Sequence, residues 1–214
     1  MKLYAHPFSS YCQKVLIALY ENQTQFEYRN LEDASASAEL ASLWPLKRFP
    51  VLVDQGQTIL ETSTIIEHLQ IHHPGSVRLI PEGDGGVKAR MLDRVFDNYI
   101  MTPMQKIVAN QLRPETDRDA YGVTEARGLL DKTYAWLDGR LTDAGWAVGR
   151  TFTLADCAAA PSLFYADWAH EIHAGFRVLR GYRARLLAHP SVARAVDEAR
   201  PFRGYFPLGA PDRD

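Results

Sequence analysis

The first 48 residues alternate between short apolar runs and amphipathic segments. Lys2-Leu3-Tyr4-Ala5 is typical of a strand, and His6-Pro7 ends it because proline cannot donate to a sheet ladder. The next residues carry apolar side chains at helical spacing, which predicts a helix with one buried face; they are Val15, Leu16, Leu19 and Tyr20. Residues 25–31 alternate like a half-buried strand, and residues 34–43 can form a short helix.

A hairpin and one more helix complete this part of the chain. Residues 49–53 predict a strand entered through a proline, residues 54–57 a tight turn, and residues 58–61 the returning strand. Residues 62–70 again carry apolar side chains on one helical face. The predicted order is therefore βαβ, a short helix, ββ and α, which indicates a small α/β domain.

The pattern changes to helices alone in the second part of the chain. Residues 74–86 contain two prolines and four glycines, which favours a linker. The helices predicted after it span residues 87–112 with a kink at Pro103, 115–141, a segment from Thr153, 176–188 and 191–199. Thr153 and Asp156 resemble a capping box at the start of their helix. We expect an α/β domain over residues 1–75, a linker over 76–86 and an all-helical domain over 87–214.

Composition narrows the classes of function. A formal charge of −2, from 24 basic and 26 acidic residues, gives no electrostatic footprint for nucleic acid. No stretch reaches the length of a membrane span, and no secretory leader pattern is seen. The cysteines, Cys12 and Cys157, have neither metal-ligand nor disulfide-scaffold spacing, and His72, His73, His170 and His173 are expected on the solvated surface. These features predict a reduced, cytoplasmic protein without a metal.

The start of the first helix carries the candidate chemistry. Ser9 or Ser10 can cap this helix, where unpaired backbone N–H groups and the helix dipole favour an anion. On the local sequence alone, capping is the simpler role for these serines. Ser9 and Cys12 keep the spacing of a redox Cys-x-x-Cys pair, but a hydroxyl cannot form the mixed disulfide of thiol–disulfide exchange.

Three motifs in this order resemble the cytosolic glutathione transferase family, as in a serine-type bacterial member similar to the theta and zeta classes. They are Ser9-Ser10-Tyr11-Cys12, Phe49-Pro50-Val51 and Glu61-Thr62. The resemblance implies a thioredoxin-like N-terminal domain followed by a helical domain that lines the electrophile site. It also implies glutathione as co-substrate and a homodimer through the third and fourth helices, with Glu67 pairing Arg90 or Arg94 across its axis.

The resemblance further implies the roles of individual residues. Ser9 would hold the glutathione thiolate, with Ser10 as the near alternative and Tyr4 as a third. A hydrogen bond to a charged acceptor supplies about 1.5–3 kcal/mol and a helix N-terminus about 0.3–1, and together they suffice for a pKa decrease of about 2 units. The glutathione-binding residues would be Lys47, Arg48, Phe49, Pro50 (as a cis-proline), Val51, Glu61 and Thr62. Lys47 stands where the family often has glycine, and Trp44 replaces its usual asparagine.

The expected second substrate is a small hydrophobic electrophile bound between the two domains. Its walls would be His6, Phe8 and Tyr11 from the first domain and Tyr99, Pro103, Met104, Tyr165 and Trp168 from the second. The implied activity is glutathione conjugation for detoxification. Two alternatives stay open, because a fold does not fix a function: a non-catalytic glutathione- or partner-binding module, and a thiol oxidoreductase or isomerase acting through Cys12.

Overall fold

The N-terminal half is a four-stranded sheet covered by helices. The computed structural model describes residues 1–214. Its strands are β1 (Lys2–Ala5), β2 (Glu27–Asn30), β3 (Val51–Asp54) and β4 (Gln57–Ile59), and its helices are α1 (Ser10–Glu21), α2 (Ala34–Leu43) and α3 (Thr62–His72). The sheet order is β2-β1-β3-β4, with β1 parallel to β2 and β3 antiparallel to both of its neighbours. The predicted thioredoxin-like α/β domain is confirmed.

Alternation along β1 distributes side chains to the two faces of this sheet. Leu3 and Ala5 enter the main core, which also contains the apolar faces of α1 and α3. Tyr4, between them, joins Leu40 and Val51 in a smaller cluster with residues of α2. The period of two in a strand therefore places α2 on the face opposite α1 and α3.

The C-terminal half is helical, as predicted. Its helices are α4 (Gly83–Val95), α5 (Thr102–Gln111), α6 (Ala120–Arg140), α7 (Leu154–Ala169), α8 (Arg177–Ala188) and α9 (Pro190–Ala199). A π-helical turn (Phe96–Met101) joins α4 to α5, and short 3₁₀ turns cover Glu115–Asp117 and Arg200–Tyr205. None of these helices combines the length and the apolar character needed to cross a bilayer.

The second part of the predicted glycine-rich linker forms the closely packed start of α4. α4 begins at Gly83 instead of Val87, the start predicted from the sequence. A Cβ at Gly86 would lie 2.2 Å from the carbonyl oxygen of Pro81, so only glycine permits this approach. Leu79 and Ile80, just before it, are buried in the main core. Glycine here serves close packing, and the predicted linker is shorter than residues 76–86.

Helix α7 is the centre of the helical half and begins with the expected cap. Asp156 Oδ2 accepts from the Thr153 backbone N–H at 2.8 Å and from the Thr153 hydroxyl at 2.9 Å. Its Oδ1 accepts from the Ala147 N–H at 2.8 Å and the Tyr182 hydroxyl at 2.6 Å. α7 packs against α1, α4 and α8, so this buried carboxylate ties several elements together.

The kink predicted at Pro103 takes the form of the π-helical turn that precedes α5. Proline lacks an N–H and its ring clashes with the carbonyl four residues earlier, so regular α-helical bonding fails here. The Thr102 N–H bonds the carbonyl oxygen of Asp97, five residues back, and the Thr102 hydroxyl donates to the same oxygen at 3.0 Å. The extra residue per turn rotates residues 97 and 98 relative to α4.

Candidate functional site

A cavity of about 520 Å³ lies between the N-terminal domain and the segment from α4 to α5. Its walls come from the start of α1, the loop before β3, the start of α3, and the π-helical turn with its flanking helices. The lining residues are Ser9, Tyr11, Trp44, Lys47, Arg48, Phe49, Pro50, Leu60, Glu61, Thr62, Arg94, Asp97, Asn98 and Gln105. Seven of the predicted glutathione and catalytic residues, and one predicted electrophile residue, are therefore together in one cavity.

Ser9 is the N-cap of α1 and faces this cavity. Its backbone is extended, with φ −80° and ψ 123°, and its Oγ accepts from the Cys12 N–H at 3.4 Å. Accepting this bond leaves the hydroxyl proton free to be donated elsewhere. The helix start supplies further unpaired N–H groups beside it. Ser9 thus combines a free donor with a site that favours negative charge.

Ser10 and Cys12 lie behind the cavity wall. Ser10, the first residue of α1, is buried and does not line the cavity. Cys12 is fully buried, and burial raises the pKa of its thiol to about 12, against a smaller lowering by the Ser9 hydroxyl. The His6 N–H also donates to Cys12 Sγ at 3.4 Å. The structure does not support the Cys12-dependent redox alternative, because only the thiolate is a nucleophile.

The tyrosines of this domain differ in their placement. The Tyr4 hydroxyl donates to Glu39 Oε2 at 2.7 Å on the opposite sheet face, so Tyr4 lies outside the cavity. Tyr11 lines the cavity, and burial followed by the nearby Asp97 carboxylate raises the pKa of its phenol. Neither phenol is poised to be a phenolate at neutral pH.

The loop before β3 forms the cationic wall. Lys47 and Arg48 line the cavity, and the Phe49–Pro50 peptide bond is cis, as expected from the resemblance. Lys47 has φ 51°, in the left-handed region that glycine adopts readily. This backbone conformation suits the glycine that is frequent at this position, and lysine adopts it here. Val51 is buried and does not line the cavity. Its backbone pairs with Tyr4 of β1, whereas β3–β4 pairing starts only at the next residue, Leu52.

The start of α3 forms the next wall. Glu61, its N-cap, has φ 65° and ψ 124°, a conformation that costs a residue with a side chain about 1–3 kcal/mol. Thr62, the first helical residue, is 7% exposed and lines the cavity beside it. Two helix N-termini, those of α1 and α3, therefore face one cavity, together with an acidic side chain.

The wall contributed by the helical half is polar. It consists of Arg94 from α4, Asp97 and Asn98 from the π-helical turn, and Gln105 from α5. Sequence reasoning missed these residues as site residues, because polar positions on a helix usually face solvent. Pro103 was the signal in the sequence that could have indicated them, because the π-helical turn before this proline places residues 97 and 98 in the cavity wall.

A buried charge network supports this polar wall. Lys14 of α1 is fully buried and lies 2.5 Å from Asp93 Oδ1 and 2.7 Å from Asp97 Oδ2. Arg94 contacts both carboxylates, at 2.8 and 2.5 Å, and Ser63 donates to Asp93 at 2.7 Å. Burial raises the pKa of Asp97 despite the opposing effect of Lys14. Asp97 Oδ1 has no hydrogen-bond partner, which leaves one acceptor of a cavity-lining residue unused.

The arginines expected to pair with Glu67 across a dimer axis have partners within the chain. Arg90 lies 2.5 Å from Glu67 Oε1 of the same chain, and Arg94 belongs to the network just described. The reason is that α3 and α4 are neighbours within one chain, so the complementary charges meet inside it.

Most of the predicted electrophile-site residues lie elsewhere in the structure. Tyr165 and Trp168 are in the main core, where Tyr165 packs edge-on against Phe8 at 5.3 Å. His6 contacts Glu32 at 2.8 Å and the Phe202 ring at 4.8 Å. The others outside the cavity lining are Tyr99, Pro103 and Met104. Met104, Tyr165 and Trp168 serve packing, whereas Tyr99 is half exposed. Helical spacing in the sequence cannot distinguish such residues from the wall of a ligand site.

Two of the histidines expected on the solvated surface have carboxylate partners. His73 Nε2 lies 2.6 Å from Asp54 Oδ2, which His68 Nε2 also contacts at 3.0 Å. His170 Nε2 lies 2.7 Å from Asp131 Oδ1. The first group joins two imidazoles and one buried carboxylate, and these are residue types that bind metals.

Comparison with protein families gives matches in both halves. A family model described as the N-terminal domain of glutathione S-transferase matches residues 3–77, and one for the C-terminal domain matches residues 120–189. Together they cover most of the chain, including the walls built from α1, the β3 loop and α3.

Curated relatives carry several names. A stringent starvation protein A homolog of Coxiella burnetii is 27% identical over 168 residues, 77% of this chain and 75% of that protein. A probable maleylacetoacetate isomerase of Caenorhabditis elegans is 28% identical over 170 residues, 77% of this chain and 78% of that protein.

Solved structures share the fold along nearly the whole chain. A glutathione S-transferase from Methylobacterium radiotolerans, in complex with glutathione sulfonate, has a TM-score of 0.79 and 29% identity, covering 91% of this chain and 93% of its own. A maleyl pyruvate isomerase described as a zeta-class bacterial glutathione S-transferase has a TM-score of 0.75 and 22% identity, with full coverage of both chains.

Proposed function

Because the chain belongs to the glutathione S-transferase family, we propose that it binds glutathione in the cavity and activates the thiol at Ser9. The observation that carries the proposal is the Ser9 hydroxyl at the N-cap of α1, facing the cavity with its proton free to donate. The relative solved with glutathione sulfonate supports glutathione as the ligand class.

Thiolate stabilisation by Ser9 is sufficient in magnitude. A free thiol has a pKa of about 8.5, so a decrease of about 2 units makes the thiolate predominate at neutral pH. That decrease requires roughly 2.7 kcal/mol. One hydrogen bond to a charged acceptor supplies about 1.5–3 kcal/mol, and the helix N-terminus adds about 0.3–1.

The remaining walls suit the other groups of the tripeptide. The N-terminus of α3 at Thr62 suits the γ-glutamyl carboxylate, and the Glu61 carboxylate suits the α-ammonium beside it. Lys47 and Arg48 supply positive charge for the carboxylate at the opposite end. The backbone of Val51, unpaired on the β4 side, is suited to bonding the peptide between them.

In the proposed reaction, the thiolate sulfur attacks an electrophilic carbon and a C–S bond forms. Either a leaving group departs with the bonding electrons, or an activated double bond accepts them and takes a proton from solvent. Arg94, Asp97, Asn98 and Gln105 make the second-substrate wall polar, so we propose an electrophile that carries polar groups. This differs from the hydrophobic substrate expected from the sequence.

A glutathione-dependent isomerase is the second candidate. The observation that favours it is the polar wall with Asn98 and Gln105, whose amide N–H groups can donate to a carboxylate-bearing substrate. The relative named as a probable maleylacetoacetate isomerase supports this class. Here the thiolate would add to a conjugated double bond, allow rotation about the resulting single bond and leave again, so glutathione would be regenerated.

The test is a comparison of Ser9→Ala with Ser10→Ala. Ser9→Ala is expected to raise the thiol pKa of bound glutathione by about 1–2 units, as measured by thiolate absorbance during a pH titration. It is also expected to lower kcat/KM about tenfold or more. Ser10→Ala, the matched control, is expected to leave both nearly unchanged. Equal effects of the two substitutions would remove Ser9 from the mechanism.

Two further measurements separate the alternatives. Failure of the wild-type protein to bind glutathione in calorimetry would reject the proposal and favour a partner-binding module. Consumption of glutathione during turnover indicates conjugation, whereas conversion of a cis-enedioate substrate without loss of glutathione indicates isomerisation.

We further propose a homodimer formed through α3 and α4, in a reducing cytoplasm. Val87 and Met91, one turn apart on α4, are 66% and 40% exposed and give this helix an apolar surface that suits a second copy. Both cysteines are buried and unpaired, in keeping with a reducing compartment.

A further inference from the structure

A cluster of metal-ligating groups lies at the end of α3 remote from the cavity. Asp54 ends β3, His68 lies in α3 and His73 caps its C-terminus. The distance along α3 from Thr62 in the cavity wall to His72 at its end is about 15 Å. The cluster is therefore separate from the proposed glutathione site.

The three side chains converge on one point. Asp54 Oδ2 is 3.0 Å from His68 Nε2 and 2.6 Å from His73 Nε2, and the three ligand atoms all lie within 4.8 Å of one another. Asp54 is 5% exposed, so its carboxylate is buried against the two imidazoles.

The geometry fits a small cation with bonds of about 2.0–2.2 Å. Ligand atoms around a tetrahedral centre of that size lie about 3.3 Å apart. The two oxygen–nitrogen separations need to widen by less than about 1 Å to reach this value. The two imidazole nitrogens need to approach one another by at most about 1.5 Å, which rotation of the side chains about χ1 and χ2 can supply.

The donor set selects the class of metal. Two imidazole nitrogens and one carboxylate oxygen suit zinc and neighbouring first-row divalent ions, whereas Mg²⁺ and Ca²⁺ prefer oxygen ligands alone. The His72 ring, 4.4 Å from the ring of His68, provides a fourth donor nearby. The amino group of Met1 lies 4.0 Å from the other carboxylate oxygen, Oδ1, and leaves Oδ2 to the histidines.

We propose that Asp54, His68 and His73 bind a divalent cation of the zinc class, with water or His72 as the fourth ligand. In the metal-free chain each histidine donates its Nε2 proton to Asp54, so the ligands are already gathered and the site is preorganised. For metal binding each ring takes the tautomer with its proton on Nδ1, by exchange with solvent, and the freed Nε2 lone pairs form the coordinate bonds. The ion would join the end of β3 to the end of α3.

The experiment uses the full chain, purified without an affinity tag and freed of metal, in equilibrium dialysis against ZnCl₂. We expect one equivalent of Zn²⁺ per chain, and at least about tenfold weaker binding for His68→Gln and His73→Gln. Glutamine keeps a hydrogen-bond donor for Asp54 but loses the basic nitrogen, so these variants are expected to fold. His173→Gln, which removes an exposed histidine outside the cluster, is the matched control and is expected to bind as the wild type does.

A cobalt titration of the wild-type protein needs no variant. Co²⁺ in a four- or five-coordinate site with nitrogen ligands gives a distinct visible absorption, and we expect this spectrum at one equivalent, abolished by excess Zn²⁺. Absence of stoichiometric Zn²⁺ binding, binding undiminished in both cluster variants, loss of binding in His173→Gln alone, or only the weak spectrum of hydrated Co²⁺ would each overturn the proposal.

Discussion

Lys47 adopts a left-handed backbone conformation in the cationic loop, with φ 51°. A residue with a Cβ pays about 1–2 kcal/mol for this conformation, and glycine does not. Lys47 lines the cavity, so the residue brings a positive charge there at a cost in backbone energy. Strain of this kind at a cavity is consistent with a role in binding.

We expect Lys47→Gly to increase the free energy of unfolding by up to about 1 kcal/mol and to weaken glutathione binding. Urea unfolding and calorimetric titration measure the two effects. Arg48→Ala is the control, because it removes a cation at the neighbouring cavity position where no positive φ is found. A destabilised Lys47→Gly protein would show that the left-handed conformation carries no cost.

The buried thiols of Cys12 and Cys157 provide a second prediction at this scale. Burial raises the pKa of both, that of Cys12 to about 12, so about one Cys12 side chain in ten thousand is thiolate at pH 8. We expect no reaction with a disulfide reagent in the native protein and reaction of both cysteines in guanidinium. Rapid native labelling would contradict the structure.

The raised pKa of Cys12 makes the free energy of unfolding depend on pH in a defined direction. The contribution from keeping Cys12 neutral is fully present below the unfolded pKa of about 8.5 and is lost as pH rises toward about 12. Cys12→Ala is therefore expected to make stability less dependent on pH in this alkaline range, as measured by urea unfolding at several pH values.

At the scale of elements, α1 links the two halves through the charge of Lys14 as well as through apolar packing. Its ammonium neutralises Asp93 and Asp97, which α4 and the π-helical turn bring to the domain boundary. Removing one member of a buried ion network leaves charge without compensation.

We therefore expect Lys14→Met to lower the free energy of unfolding by about 3 kcal/mol or more, measured by urea denaturation. Adding Asp93→Asn is expected to restore part of the loss. Lys106→Met, which breaks an exposed pair with Glu125, is the control and is expected to cost no more than about 1 kcal/mol. Equal losses for the two lysines would argue against the network.

Elements and site differ in how far the sequence predicts them. The hairpin, α2 and the Thr153–Asp156 cap follow from local spacing, and the structure agrees with them. The cavity-wall residues Ser9, Arg48 and Thr62 lie in short sequence motifs, so they could also be predicted from the sequence. Arg94, Asn98 and Gln105 could not be predicted as site residues. A polar helix face is expected to contact solvent, and only the π-helical turn and the tertiary packing show that this one lines a cavity.

At the scale of the whole molecule, the proposed dimer gives a further prediction. Met91→Glu places a charge on the exposed apolar surface of α4, where we expect it to shift the protein from dimer to monomer. Leu112→Glu adds the same charge at the end of α5, at a residue 70% exposed, and is expected to leave the dimer intact. Sedimentation velocity measures both, and a wild-type monomer at micromolar concentration would refute the dimer.

The position of α1 has a consequence for how the molecule can come apart. This helix belongs by sequence to the α/β half, yet it packs against α7 and α9 as well as α3, and one continuous core includes residues of both halves. Neither half can detach without exposing the apolar surface of α1 to water. A protease cutting between α3 and α4 would therefore release no autonomous piece, and heat is expected to melt the chain in one cooperative step.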